Sequence, residues 1–275
     1  MAEKLSRLWR YAPGDGMYVW RIMFLEPDLL VCEKRQPNGN TTFFSCLSLS
    51  TGNEVLKDFS LDTCLPLDEE RKWLSGLETT RGTLFYIHSY RSNSPEHMGI
   101  WAVDPYKGKI AWARPEAAFV ANLSEGMLAY EAGSFAGFPE RHYRLFDCRN
   151  GEVLDDIGED SKKANMLRRR SLSDEKLQNV LLPVLADPDI SGSGNSGSGV
   201  IEYIEHGNVR IVVEHVPGTG GKGYDAYLTI ARDGALVYRD MLVQGSGTPY
   251  VNYFILRNVT LYYIRNLNEL ISVRL

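Results

Sequence analysis

Short runs of alternating apolar and polar residues, separated by tight-turn signals, fill most of the chain. This period-two patterning is what half-buried strands need, because successive side chains point to opposite faces. Residues 43–49 and 54–59 flank the turn Ser50-Thr51-Gly52-Asn53. Residues 99–104 and 109–113 flank Pro105-Tyr106-Lys107-Gly108. Residues 143–147 and 152–154 flank a turn through Asn150-Gly151, and residues 227–230 and 235–238 flank Asp233-Gly234. Asn-Gly and Asp-Gly between such runs are strong hairpin signals, since Gly accepts φ > 0 at low cost.

Each of these hairpins is preceded by another with its own short turn. Those turns are Glu26-Pro27-Asp28, Thr80-Arg81-Gly82, Ser124-Glu125-Gly126 and His206-Gly207-Asn208. Every unit therefore reads as four consecutive antiparallel strands. A fifth unit, with strands at 251–256, 260–264 and 270–273, ends one strand short. Residues 5–11 precede the first complete unit and carry a spare strand pattern with Trp9. Placing them beside the C-terminal strand removes two open edges. Four-stranded units in radial repetition define a β-propeller. The expected fold is thus all-β, a β-propeller of five four-stranded blades. The N-terminal strand closes the ring, and residues 1–275 make a single domain.

Composition narrows the function classes. The 275 residues are enough for a sizeable core, and 44% hydrophobic with 24% charged residues is ordinary for a globular chain. A net charge of −5 argues against nucleic-acid binding, which needs a basic face. No apolar run reaches membrane-spanning length and the first residues lack a secretory h-region, so no membrane association is expected and the location expected is cytoplasmic. Cys32, Cys46, Cys64 and Cys148 form no C-x-x-C pair and read as buried free thiols in a reducing compartment. A monomer without cofactor or bound metal is expected.

The stretch from Ala102 to Trp112 reads A-x-D-x-x-x-G-x-x-x-W, through Asp104 and Gly108. It resembles the tryptophan-docking repeat of the pyrroloquinoline-quinone-type (quinoprotein-like) propellers, a relative of WD40-like repeats in architecture. Leu49-Ser50-Thr51-Gly52 and Asp147-Cys148-Arg149-Asn150-Gly151 are partial copies without the Trp, and Trp9 is a second candidate docking Trp. The resemblance covers roughly a third of the chain. It implies a scaffold in which the Gly makes a turn and the Trp packs between neighbouring blades. It does not imply the quinone, whose ligand residues find no match. The whole chain looks like an uncharacterised bacterial propeller family of unknown function.

The repeat breaks at about 158–199, which reads as an irregular insertion. It begins with Lys162-Lys163 and Arg168-Arg169-Arg170, includes Ser173 as a cap for a short helix, and ends in a Ser/Gly-rich loop at 191–199. This segment lies on the same propeller face as four long connections, at 35–40, 89–98, 132–142 and 215–225. Function on a rigid scaffold is carried by such loops, so this face is expected to bind a protein, peptide or glycan. His97, Arg141, His142, His215, Lys222 and Tyr224 are the expected ligand-binding residues, with Tyr90, Arg91, Phe135 and Phe138 nearby. Cations beside aromatics suit polar and anionic groups.

Catalytic signals are weak. Gly218-Thr219-Gly220-Gly221-Lys222-Gly223 lacks both the first Gly and the Ser/Thr of a phosphate loop. No G-x-S-x-G or H-E-x-x-H occurs. The histidines His88, His97, His142, His206 and His215 show no i, i+4 pair, although sheet-borne metal sites combine distant residues. A non-enzymatic binding scaffold is the leading expectation. The alternative is a carbohydrate-active hydrolase with paired carboxylates, for which Glu26, Glu78, Glu202 and Glu205 are the strand-borne candidates.

Overall fold

A computed structural model describes residues 5–14, 16–36, 41–61, 75–90, 94–186, 200–218 and 223–275. The chain divides into two compact units, residues 1–19 with 179–275, and residues 20–178. The strands in chain order begin with β1 (Arg7–Tyr11). The first sheet is β2 (Tyr18–Leu25), β3 (Leu29–Gln36), β4 (Thr41–Ser48) and β5 (Glu54–Phe59), hydrogen-bonded in that order. The second is β6 (Ser75–Arg81), β7 (Leu84–Tyr90), β8 (His97–Asp104) and β9 (Lys109–Arg114). The third is β10 (Ala117–Asn122), β11 (Met127–Phe135), β12 (Phe138–Phe146) and β13 (Val153–Gly158). Helices α1 (Ser161–Arg168) and α2 (Asp174–Gln178) follow, then the short strands β14 (Val180–Leu181) and β15 (Val184–Leu185). β16 (Ile201–His206), β17 (Val209–Pro217), β18 (Tyr224–Arg232) and β19 (Ala235–Ser246) join β15 in the fourth sheet. β20 (Phe254–Arg257), β21 (Thr260–Arg265) and β22 (Glu269–Arg274) form the fifth with β14 and β1, in the order β1-β22-β21-β20-β14.

This order, with consecutive strands side by side and the first strand antiparallel to the last, is that of a five-bladed β-propeller closed by its N-terminal strand. Arg10 faces Ile271 and Tyr11 faces Leu270 across the closing pair. The expected hairpin turns all recur. The middle strands are apolar on both faces because each face packs on something. In β7, Phe85 and Ile87 join a core with the first sheet, whereas Leu84 and Tyr86 join one with the third. β8 divides likewise, with Trp101 and Val103 on one side and Ile100 and Ala102 on the other. Each large side chain buried in this way contributes about 1.5–3 kcal/mol, which holds the three sheets of the 20–178 unit in register.

Two segments differ from expectation. Residues 132–142 and 215–225 are not long loops. β11 and β12 run on as one hairpin to Phe135 and Phe138, turning at Ala136-Gly137 with φ of 51° and 83°. β17 and β18 stay paired out to Pro217 and Tyr224. The segment expected to be irregular carries both helices. Asp160 caps α1 by accepting from the Lys163 N–H, and Ala164 and Leu167 face inward while the basic residues face solvent. Ser173 Oγ accepts from the Lys176 N–H at 3.4 Å, the cap expected for α2. The apolar run after it is shared, β14 pairing with β20 and β15 with β16. Residues 187–199 lie outside the described residues. No helix among the described residues is long and apolar enough to cross a membrane.

Candidate functional site

Strand alternation places Gly76 and Glu78 of β6, His88 and Tyr90 of β7, and His97 of β8 on one face of the second sheet. Gly76 faces His88 across the first pair, and Tyr90 faces His97 across the second. Two irregularities refine their aim. The β6–β7 register shifts between Leu77 and Thr79, so Glu78 is an extra residue in its strand. The β7–β8 register shifts between Ile87 and Ser89, which face Trp101 and Met98, so His88 stands opposite a bulge that holds Gly99. Bulges re-aim side chains and bend strands, and both flank the same imidazole.

The result is a compact group. His97 Nδ1 lies 2.8 Å from Glu78 Oε2, and His88 Nδ1 lies 2.9 Å from the same oxygen. The two imidazoles stack with centroids 3.6 Å apart and planes 8° from parallel. The Tyr90 ring stands perpendicular to both, with centroids at 5.2 and 5.1 Å. His97 is open to solvent, whereas His88 is only 4% exposed. Neither ring nitrogen of His88 makes an aligned hydrogen bond. Burial would push the Glu78 carboxyl up, but the imidazoles of His88 and His97 outweigh it and hold it down at about 2. A carboxylate beside two imidazoles can hold a cation or pass a proton. Among the described residues these three side chains are the set able to share a metal ion. Sequence spacing does not mark this set, because it is the register of three strands that brings its members together.

Beside His97 a small cleft opens between the second and third sheets. It is lined by Glu96, His97, Met98, Glu116, Ala118, Tyr130 and Ala132. The Arg141 guanidinium covers the Tyr130 ring at 4.5 Å and lies 3.9 Å from Glu96.

Of the residues singled out from sequence, His97 and Arg141 thus come together at this cleft. His142, the next residue along β12, points to the opposite face and pairs with Asp156, its Nε2 2.6 Å from the carboxylate. His215 is a buried strand residue rather than a loop ligand. Its Nδ1 donates to the Val200 carbonyl at 2.6 Å and its Nε2 accepts from the Tyr250 N–H at 2.8 Å, so its polar capacity is spent on backbone. Tyr224 opens β18 in the other unit, paired with Pro217 and Ser246. Lys222 and Arg91 lie outside the described residues. Phe138 is exposed at its hairpin tip. From sequence alone Glu78 is one strand-borne carboxylate among four and His88 one histidine among five, with nothing to join them. The signal available was the His88-x-Tyr90 alternation, which puts an imidazole and a phenol on one strand face.

Residues 25–112 match the family described as a domain of unknown function (DUF4905). No curated protein matches the chain. Among solved structures it is similar to an acylaminoacyl peptidase complex with 12% identity and a TM-score of 0.32, covering 94% of this chain and 38% of that one. The chain therefore spans well under half the length of that peptidase. It is similar also to an uncharacterised protein of Listeria monocytogenes, with 10% identity, a TM-score of 0.34 and coverage of 96% and 95%. A glycosyl hydrolase from Bacteroides ovatus shows 9% identity, a TM-score of 0.31 and coverage of 95% and 85%. Likeness at this level carries no functional argument.

Proposed function

We propose that this chain is a binding scaffold that takes a polar peptide or glycan segment on the surface around the cleft between its second and third sheets. The observation that carries the reading is the convergence on one cleft of an arginine stacked on Tyr130, an exposed imidazole at His97, and the carboxylates of Glu96 and Glu116. A flat aromatic beside a cation and acceptors suits a sugar ring or a peptide backbone. Ordered strands hold Tyr130 and Arg141, so little conformational entropy is lost on binding. The quinoprotein-like docking repeat supplies the frame, and the buried thiols of Cys32, Cys46 and Cys148 support a reducing, cytoplasmic setting.

The test is a calorimetric screen of glycans and peptides against the full chain, with Tyr130→Ala and Arg141→Ala as variants. Loss of at least about tenfold in affinity in both supports the cleft. Unchanged affinity in both moves the site elsewhere. A second reading, a carbohydrate-active hydrolase, is favoured by the presence of two carboxylates, Glu96 and Glu116, on the same cleft. Turnover of a glycoside that disappears in both Glu96→Gln and Glu116→Gln supports that reading over simple binding.

A further inference from the structure

We propose that Glu78, His88 and His97 bind one divalent transition-metal ion of the zinc type, through Glu78 Oε2, His88 Nδ1 and His97 Nδ1. The three donor atoms lie within 4.8 Å of one another, and the carboxylate oxygen already stands 2.8 and 2.9 Å from the two nitrogens. A tetrahedral zinc ion with bonds of about 2.0–2.1 Å keeps its ligands roughly 3.3–3.4 Å apart. The donors therefore need to part by only about 0.5 Å to receive it.

The stacked rings set how the ion enters. A lone pair lies in the plane of its ring, so two parallel rings cannot both aim at one ion, and one of them must turn. His88 is held, with Gly76 against its ring and the Tyr90 ring beside it. His97 is the exposed partner at the start of β8, so its ring is the one with solvent to turn into. The ion is thus bound from the His97 side.

A separate observation points to a ligand. His88 is 4% exposed and aims Nδ1 at the shared carboxylate oxygen 2.9 Å away without an aligned hydrogen bond. Buried polar side chains are almost always satisfied, and coordination of Nδ1 replaces a misaligned contact with a bond. The donor set selects the ion class. Two imidazoles with one carboxylate suit zinc and its neighbours, whereas calcium and magnesium take all-oxygen sites. Three protein ligands leave a fourth position for water or a ligand atom on the solvent side. The inference goes beyond the cleft reading and shares only His97 with it.

The experiment uses tag-free full-length protein, stripped with a chelator and titrated with Zn²⁺ alone by calorimetry, with Co²⁺ absorption as the readout of coordination. One equivalent of Zn²⁺ and a tetrahedral Co²⁺ spectrum are expected. Glu78→Gln and His97→Ala should each weaken binding by at least about 100-fold while the melting curve shows a folded protein. His206→Ala, in the other unit, should bind as the parent does. Because His88 is buried, its own substitution is read only in variants that melt cooperatively, and the exposed His97 carries the test without it. Absence of stoichiometric Zn²⁺ binding overturns the proposal. So does unchanged binding in both Glu78→Gln and His97→Ala, an equal loss in His206→Ala, or tighter binding of Ca²⁺ or Mg²⁺ than of Zn²⁺.

Discussion

Trp112 at the end of the second sheet lies across Gly151 in the last turn of the third. Its indole N–H donates to the Cys148 carbonyl at 3.0 Å, and the Tyr86 hydroxyl donates to the same oxygen at 2.7 Å. Gly151 adopts φ of 71°, and a Cβ there would meet the indole ring at 2.6 Å. The glycine is thus required twice, by its backbone and by its neighbour. Gly151→Ala should destabilise the fold by about 2 kcal/mol, combining backbone strain with overpacking. Trp112→Ala should cost about 3–5 kcal/mol. Trp112→Phe keeps most of the contact and should lose about 1 kcal/mol with the hydrogen bond. Urea denaturation of the three variants checks this ranking.

Gly76 and His88 form the second close approach. A Cβ on Gly76 would lie 2.8 Å from two imidazole atoms of His88, whose ring is walled in by Tyr90. Gly76→Ala should push His88 out of its stack on His97 and destabilise the chain by about 1–3 kcal/mol. Histidine side-chain NMR signals report the displacement. Parent-like shifts together with parent-like stability would contradict the packing described.

The thiols allow a pH prediction. Burial pushes the Cys32 thiol up to about 12 from an ordinary 9.0, and burial raises Cys46 as well. In the unfolded chain these groups lose their protons near pH 9, so above that pH the unfolded state binds fewer protons than the native state. Their contribution to stability is complete below pH 9 and is lost as pH rises from about 9 towards 12, by at most about 1.4 kcal/mol per pH step for Cys32. At pH 8 both thiols should resist a disulfide reagent until denaturant is added. Rapid labelling of Cys32 in the native protein would show that its strand is not packed as described.

The turns were the most legible part of the fold, because Asn-Gly and Asp-Gly carry their backbone geometry in their residue types. The closing strand was legible from a missing partner at one end and a spare pattern at the other. The extended hairpins were not. The β11–β12 turn places Ala136 at positive φ, where residue type gives little warning, and the polar residues along 139–142 read as loop. Helix α1 was hidden because only Ala164 and Leu167 face inward among charged neighbours. His215 is satisfied by the backbone of Val200 and Tyr250, which no local pattern records. The group around His88 depends on the register of three strands and on two bulges. Residue types name its members, but only pairing shows that they meet.

β1 pairs with β22 and buries Trp9 and Tyr11, with Trp9 set against Tyr262 at 5.8 Å. Arg7 reaches Asp240 of β19 at 3.4 Å, and Asp240 also accepts from the Tyr263 hydroxyl at 2.5 Å, which ties the strand to both sheets of its unit. Removing residues 1–11 forfeits about 1.5–3 kcal/mol for each buried aromatic. It also lays open the N–H and C=O groups of β22, whose side chains from Leu270 to Val273 are buried and apolar apart from Ser272. An exposed apolar edge of that kind recruits other chains. The truncated protein should melt lower and form oligomers or aggregates in light scattering, whereas Trp9→Ala, which keeps the edge covered, should melt lower without associating. A truncation that keeps both the parent's melting temperature and its size would show that β1 is not what closes the fold.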